Sequence, residues 1–156
     1  MKNYLSILIT AILFVAVSCQ QHHQQSPEEY QNEVKQKIAE FEKNYYKVWL
    51  NENLDSVMTF LDEGYVNMFN LNTYANKEQC RKMFKNVFDT YSTEDFESKT
   101  IDIIVDQNYA IKTGLLKQIW ITTDKKDTIY FDMRGMTIFK KQEDGSWKLF
   151  RDFGQE

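Results

Sequence analysis

The side chains that could do chemistry in this 156-residue chain are tyrosines, carboxylates and basic residues. Histidine occurs only as His22-His23, within the polar run Gln20 to Gln25. That excludes Ser-His-Asp and Cys-His nucleophilic systems from the rest of the chain, and imidazole acid/base work with them. It also disfavours a transition-metal centre, because Cys80 and scattered carboxylates are poor zinc ligands. His22-His23 read as part of a solvated spacer. No metal and no cofactor are expected. In Tyr130-Phe131-Asp132-Met133-Arg134-Gly135-Met136, strand alternation puts Tyr130, Asp132, Arg134 and Met136 on one face. A charged pair beside an aromatic ring could orient a carboxylate or carbonyl ligand inside a cavity. The same spacing fits an Asp–Arg pair on the outer face of the sheet, and this plainer reading is favoured because sheets alternate two faces. Arg151 and Asp152 are neighbours on a strand, so at most one reaches an interior. Trp49, Trp120 and Trp147 fall on three different elements; they could line a pocket together, although a core role is the default for each.

The elements that position these residues follow from capping and periodicity. Ser26-Pro27-Glu28-Glu29 opens a helix, with Ser26 as cap, Pro27 at the first helical position and Glu29 closing a capping box. Val34, Ile38, Phe41, Tyr45 and Val48/Trp49 form its buried stripe. Asn51-Glu52-Asn53 ends it. A short helix follows, with Leu54, Val57, Met58 and Leu61 on one face and Gly64 at its end. Tyr65 to Asn70 reads as a strand, and Met68 and Phe69 would narrow a cavity if they point inward. Asn76 and Gln79 cap a third helix whose inner face is Cys80, Met83, Phe84, Val87, Phe88 and Tyr91. From Phe96 onward the pattern is strand: Lys99 to Val105, Tyr109 to Thr122, Thr128 to Lys141 and Ser146 to Phe153, separated by polar turns. Three helices with one early strand, then a run of antiparallel strands, predict an α+β fold with helices on one face of a curved, mainly antiparallel sheet.

Composition bounds the partners. The net charge is −4 and there is no Lys/Arg block, which argues against nucleic acid and against a basic patch for anionic lipid. The start of the chain has a different character. Lys2 precedes an apolar run from Tyr4 to Val17 and the small residues Ala16-Val17-Ser18 before Cys19. This is the pattern of a secretory signal, and the run is shorter than the ~20 residues of a spanning helix. Its end resembles a bacterial lipobox, with Ala16 where Leu is commonest. Residues 1–18 are therefore expected to be a lipoprotein signal, with Cys19 carrying lipid and anchoring the protein to the membrane. Residues 19–25 form a tether and 26–156 one domain. Gln20 follows the cysteine in place of the aspartate associated with inner-membrane retention, which favours the outer membrane. Cys80 then has no partner for an intramolecular disulfide and reads as a small buried hydrophobe.

The order of elements, with Trp49-Leu50-Asn51-Glu52-Asn53-Leu54-Asp55, Phe60-Leu61-Asp62-Glu63-Gly64-Tyr65-Val66 and Asp144-Gly145-Ser146-Trp147-Lys148-Leu149, resembles the nuclear transport factor 2-like superfamily. The similarity is to its SnoaL-like and ketosteroid isomerase-like branch and runs from about Glu28 to the C-terminus. The resemblance implies a cystatin-like, cone-shaped roll whose interior is open to a ligand in some members and plugged in others. It also implies an outer sheet face that often forms a homodimer. The isomerase branch carries its catalytic base on the first strand; the equivalent Val66-Asn67-Met68-Phe69-Asn70 has no carboxylate. Tyr45 lies near the isomerase tyrosine, although a tyrosine on a buried helix stripe is more often core.

The resulting expectation is a lipid-anchored extracytoplasmic binding or interaction module, non-catalytic, with a small apolar ligand in the cone. Its candidate ligand contacts are Tyr45, Trp49, Met68, Phe69, Trp120, Tyr130, Asp132 and Arg134. One alternative is an isomerase- or dehydratase-type enzyme using Tyr45, Tyr130, Asp132 and Arg134. The other is a structural dimeric envelope protein with a filled cone.

Overall fold

The computed structural model describes residues 25–70 and 73–155, and only the backbone of Phe69, Asn70 and Thr73. The signal, Cys19 and the run through Gln24 lie outside the described residues. The chain divides into two units, Met1–Tyr30 and Gln31–Glu156. In the first, Ser26 and Glu29 form the expected capping box: the Ser26 N–H donates to Glu29 Oε2 (2.8 Å) and the Glu29 N–H to Ser26 Oγ (3.2 Å). No helix among the described residues is long and apolar enough to cross a membrane.

The described residues form three helices and six strands: α1 (Pro27–Leu50), α2 (Leu54–Thr59), β1 (Leu61–Asn70), β2 (Thr73–Asn76), α3 (Lys77–Thr90), β3 (Tyr91–Val105), β4 (Tyr109–Thr122), β5 (Thr128–Lys141) and β6 (Trp147–Gln155). The strands form one sheet in the order β2-β1-β6-β5-β4-β3. Only the β1–β6 pair is parallel; the others are antiparallel. This is the predicted α+β architecture, with helices packed on a curved, open sheet.

Several boundaries differ from those read in the sequence. Leu61 and Gly64 belong to β1 and do not end α2, which stops at Thr59 with Phe60 as its cap. Leu61 keeps helical spacing with Val57 and Met58, but it lies opposite Leu149 on β6, and the Leu149 N–H donates to Phe60 O (2.9 Å). Tyr91 opens β3, which starts five residues before Phe96 because Tyr91 to Asp95 pair with the end of β4. Met83 is half exposed, outside the inner face of α3. The Asn76–Gln79 capping box is present at the start of α3.

Irregularities shape the concave face. Register shifts occur at Thr93/Asp95 and Thr100/Asp102 in β3 and, opposite Ile138/Phe139 of β5, between Leu149 and Arg151 in β6. Such bulges bend a strand and raise its local twist. Gly114 and Gly135 lie opposite each other on β4 and β5. A Cβ on either would meet a backbone carbonyl oxygen at 2.6 Å, that of Lys99 or of Phe153. Glycine at both positions lets the neighbouring strands close in where the sheet turns. Against this face pack Val34, Ile38 and Trp49 of α1, Val57 and Met58 of α2, and Cys80 and Phe84 of α3, all buried.

Candidate functional site

The parity of β4 and β5 decides which side chains can form a site. Lys112, Leu116 and Gln118 of β4 point to the concave side, with Lys112 and Gln118 buried. Residues directly opposite in a sheet share a face. Leu116 lies opposite Met133, and Lys117 opposite Asp132. Met133 is therefore concave, and Tyr130, Asp132, Arg134 and Met136 are on the convex side.

Between α1 and the concave face lies a cavity of about 100 Å³. From α1 it receives Phe41, Glu42, Tyr45, Tyr46 and Trp49; from α3, Phe84. The sheet supplies Tyr65 and Asn67 of β1, Phe96 of β3, Leu116 and Gln118 of β4, Thr137 and Phe139 of β5, and Leu149 and Asp152 of β6. The helical repeat explains the α1 contribution. Phe41, Tyr45 and Trp49 are spaced by four on one stripe, and Glu42 and Tyr46 lie on the next line around the helix. The rings pack edge to face: Phe41 on Phe139 (5.3 Å between centroids), Trp49 on Phe84 (5.0 Å) and on Phe88 (4.9 Å). Tyr46 and Phe96 lie 4.1 Å apart, tilted by 30°.

Two polar groupings interrupt this aromatic wall. In the first, the Tyr65 hydroxyl donates to Asp152 Oδ2 (2.8 Å), and Asn67 Nδ2 donates to the Tyr65 oxygen (3.4 Å). Burial raises the Asp152 carboxyl above its ordinary range; hydrogen bonds from Thr137 and Tyr65 and the charge of Lys112 oppose that rise without cancelling it. Burial, and then the neighbouring Asp152, raise the Tyr45 and Tyr65 hydroxyls, so both stay protonated. In the second, Lys112 Nζ pairs closely with Glu42 Oε1 and donates to Ser98 Oγ (2.8 Å). The Tyr46 hydroxyl donates to the same Glu42 oxygen (2.6 Å), and burial with this carboxylate raises that hydroxyl too. The indole Nε1 of Trp49 is buried and has no hydrogen-bond partner. Among the described residues, no three His, Cys, Asp or Glu side chains are grouped to hold a metal ion.

Of the residues singled out from the sequence, Tyr45 and Trp49 meet at the cavity. Trp120 does not line it; its ring packs on Phe131 (4.3 Å) and Tyr91 (5.6 Å). Met68 is exposed, because Tyr65 and Asn67 take the inward positions of β1. The side chain of Phe69 lies outside the described residues. Tyr130 is 75% exposed, and Asp132 stands 4.0 Å from Lys117 on the convex face. Arg134, also convex, is not part of the cavity. Trp147 is core. Asp62 is a buried strand residue that accepts from the Gly64 N–H (2.8 Å) and Gln142 Nε2 (3.0 Å). Burial pushes its carboxyl up, but those bonds and Lys140 outweigh it and hold the group below its ordinary range.

Sequence reasoning passed over the polar wall residues Glu42, Tyr46, Tyr65, Asn67, Gln118 and Thr137 and, behind the wall, Lys112; of the neighbours Arg151 and Asp152, it is Asp152 that reaches the interior. A signal for two of them was present. Lys112 and Gln118 share parity with Ala110, Leu116 and Trp120, which makes them polar interruptions of an apolar stripe.

With this geometry in hand, comparison with known proteins gives the following. Residues 43–150 match the SnoaL-like domain. No curated protein matches the sequence. Among solved structures, a conserved protein from Planctomyces limnophilus superposes with a TM-score of 0.74 at 12% identity, covering 78% of this chain and 94% of that one. A ketosteroid isomerase-like protein from Erwinia carotovora atroseptica gives 0.64 at 14% identity, over 75% and 91%. A nuclear transport factor 2-like superfamily protein from Salmonella enterica serovar Typhimurium gives 0.66 at 16% identity, over 80% and 92%. At these identities the likeness is one of fold.

Proposed function

The chain belongs to the SnoaL-like domain family within the nuclear transport factor 2-like superfamily, and we propose that it is a non-catalytic module that holds a small ligand in the cavity between α1 and the sheet. The observation that carries this reading is the lining: aromatic rings on most sides and a few convergent polar groups, the composition of a ligand site. Its volume of about 100 Å³ is below the ~300–1,000 Å³ of sites for drug-sized ligands, so the ligand is small. The stretch Val66–Asn70 of β1, where the resemblance would put the isomerase base, has no carboxylate, and Asn67 is buried there; Asp62, at the other end of β1, is taken up by the Gly64 N–H, Gln142 and Lys140. In this reading lipid on Cys19 tethers the domain to the cell envelope, at the outer membrane, through residues 19–25. The convex face fits a homodimer, since Ile104 and Tyr130 expose large apolar side chains there.

A thermal-shift screen of small uncharged ring compounds tests the ligand reading, because a bound ligand raises stability by mass action. Hits on the wild type that vanish in Leu116→Phe, where the added ring fills the cavity, support it. Hits that persist in the variant place binding elsewhere and end it. Loss of palmitate incorporation in Cys19→Ser tests the anchor; unchanged incorporation overturns it.

Asp152 favours one second reading, an isomerase- or dehydratase-type enzyme. A buried carboxyl raised above its ordinary range and bonded to the Tyr65 hydroxyl is a candidate for general acid/base work. That reading requires a turnover that falls by ~10²–10⁴ in Asp152→Asn.

A further inference from the structure

The convex face carries charges that the single chain leaves unmatched, and their arrangement selects how a second copy sits on it. This rests on the reading that the convex face pairs two copies. Side chains directly opposite one another on neighbouring strands stand in rows across the sheet, and rows on one face repeat every two residues, about 7 Å apart. One convex row is Lys99, Leu115, Arg134 and Gln155, and it is basic. The next is Glu97, Lys117 and Asp132, with a net negative charge. Apolar rows flank the two: Ile119 and Tyr130 beyond the acidic row, Thr113, Met136 and Phe153 beyond the basic one. Within the chain, Lys117 reaches Asp132 only at 4.0 Å, with both side chains more than half exposed. The side chains of Lys99, Arg134 and Glu97 make no ion pair or hydrogen bond among the described residues.

A homodimer closes about a two-fold axis, and two faces packed together need that axis in the plane between them. An axis along the strands lays each row on itself. Arg134 then meets no acid, because its row holds none, and a guanidinium pressed on Leu115 or on another cation loses water without gaining a partner. An axis across the strands reverses the order of the rows. Placed level with Leu116 and Met133, it lays the basic row on the partner's acidic row. Each strand then runs antiparallel over its own copy, and symmetry makes every match twice. Arg134 meets the partner's Asp132, and Lys99 the partner's Glu97. The flanking rows match as well. Met136 covers the partner's Tyr130, whose side chain is 75% exposed in the single chain, in a sulfur–aromatic contact. Thr113 covers the partner's Ile119. Packed sheets cross at about 30°, so the match is closest on β4 and β5 and loosens toward β3.

We infer that two copies pack their convex faces about a two-fold axis that crosses the strands between Asp132 and Arg134, so that each Arg134 pairs with the partner's Asp132 and each Met136 covers the partner's Tyr130.

Sedimentation of the full chain tests this with two surface variants, Asp132→Arg and Arg134→Asp. Each alone puts like charges into both cross-pairs, and the expected result is a dimer weakened at least ~10-fold. In an equimolar mixture of the two variants both cross-pairs are again opposite in sign, and the expected result is recovery of the dimer as a mixed species. Recovery also shows that each variant alone is folded. Loss in both variants without recovery on mixing overturns the facing of Arg134 and Asp132. Loss in Asp132→Arg alone places the axis along the strands, where Lys117 meets the partner's Asp132, and overturns the inference. Dimers as tight as wild type in both variants overturn the register and spare the reading of a convex homodimer. A wild-type chain that sediments as a monomer at every concentration ends both.

Discussion

The Tyr65 hydroxyl donates to Asp152 Oδ2 at 2.8 Å across the parallel β1–β6 pair, with both side chains buried. These two strands are distant in sequence, so the bond helps to fix their register from inside the cavity. Removing the donor leaves a buried carboxyl short of a partner, which costs about 1–3 kcal/mol. Tyr65→Phe should lower stability in urea by that amount. Asp152→Asn, which is uncharged and still accepts from Tyr65, should cost less than Tyr65→Phe. The reverse order would mean that the aspartate's own charge, and not this bond, is what matters.

Asp152 also sets a pH dependence whose sign can be worked out. Its folded-state carboxyl is raised from the ordinary value of 3.8, with burial as the main cause. Above 3.8 the folded state therefore holds this proton more tightly than the unfolded chain does. Stability contributed by the group is present below that pH and is lost as pH rises through the folded-state value. Asp62 acts in the opposite sense: its lowered carboxyl contributes stability above 3.8 that is lost on acidification. The difference between wild type and Asp152→Asn isolates the first effect. Urea midpoints measured upward from pH 4 should show the wild type losing stability relative to the variant. A constant difference across that range would contradict the raised carboxyl.

Lys112 and Glu42 form a buried ion pair between β4 and α1. Removing one partner of such a pair typically costs ~3–5 kcal/mol, since the other charge is left uncompensated. Lys112→Met should show that loss. Adding Glu42→Gln should recover at least half of it, because the amide is uncharged and can still accept from Tyr46. No recovery in the double variant, read from chemical denaturation, would show that the lysine acts through its stem and its bond to Ser98 alone.

The fold was legible in the sequence because its signals are local. The Ser26 and Asn76 capping boxes, the four-residue spacing of Phe41, Tyr45 and Trp49, and the polar turns between late strands each need only a few neighbouring residues. The site was half legible. Tyr45 and Trp49 followed from the helical stripe. Tyr130, Asp132 and Arg134 were correctly grouped on one face, but period two does not say which face is concave. That choice is made by pairing: Leu116 opposite Met133 sends Asp132 outward. Asp152 is inward because β6 slips against β5 between Ile138 and Phe139, a register shift with no mark in the local sequence. At the start of β1, Leu61 fits the helical spacing as well as it fits the strand, and only its pairing with Leu149 decides.

Gly114 and Gly135 make the sheet's bend testable away from the cavity's polar groups. They face each other on β4 and β5, and a methyl group on either would stand 2.6 Å from a backbone carbonyl oxygen. Backbone cannot swing aside as a flexible side chain can, so the strands must separate to admit it. Overpacking of this kind costs about 1–3 kcal/mol. Gly135→Ala should therefore lower the melting temperature and weaken the pairing of β5 with β6, seen as faster amide exchange at Phe153 and Gln155. Gly114→Ala should act on β3 against β4 instead, with faster exchange at Lys99 and Thr100. Gly145 is the control, although for a different reason: a Cβ there would meet nothing within 4 Å, but φ is +82°, which L side chains rarely adopt. Gly145→Ala should cost stability without loosening either strand pair. Equal exchange in all three variants would mean that the glycines serve turn or strand conformation and that the close approach at the bend is not limiting.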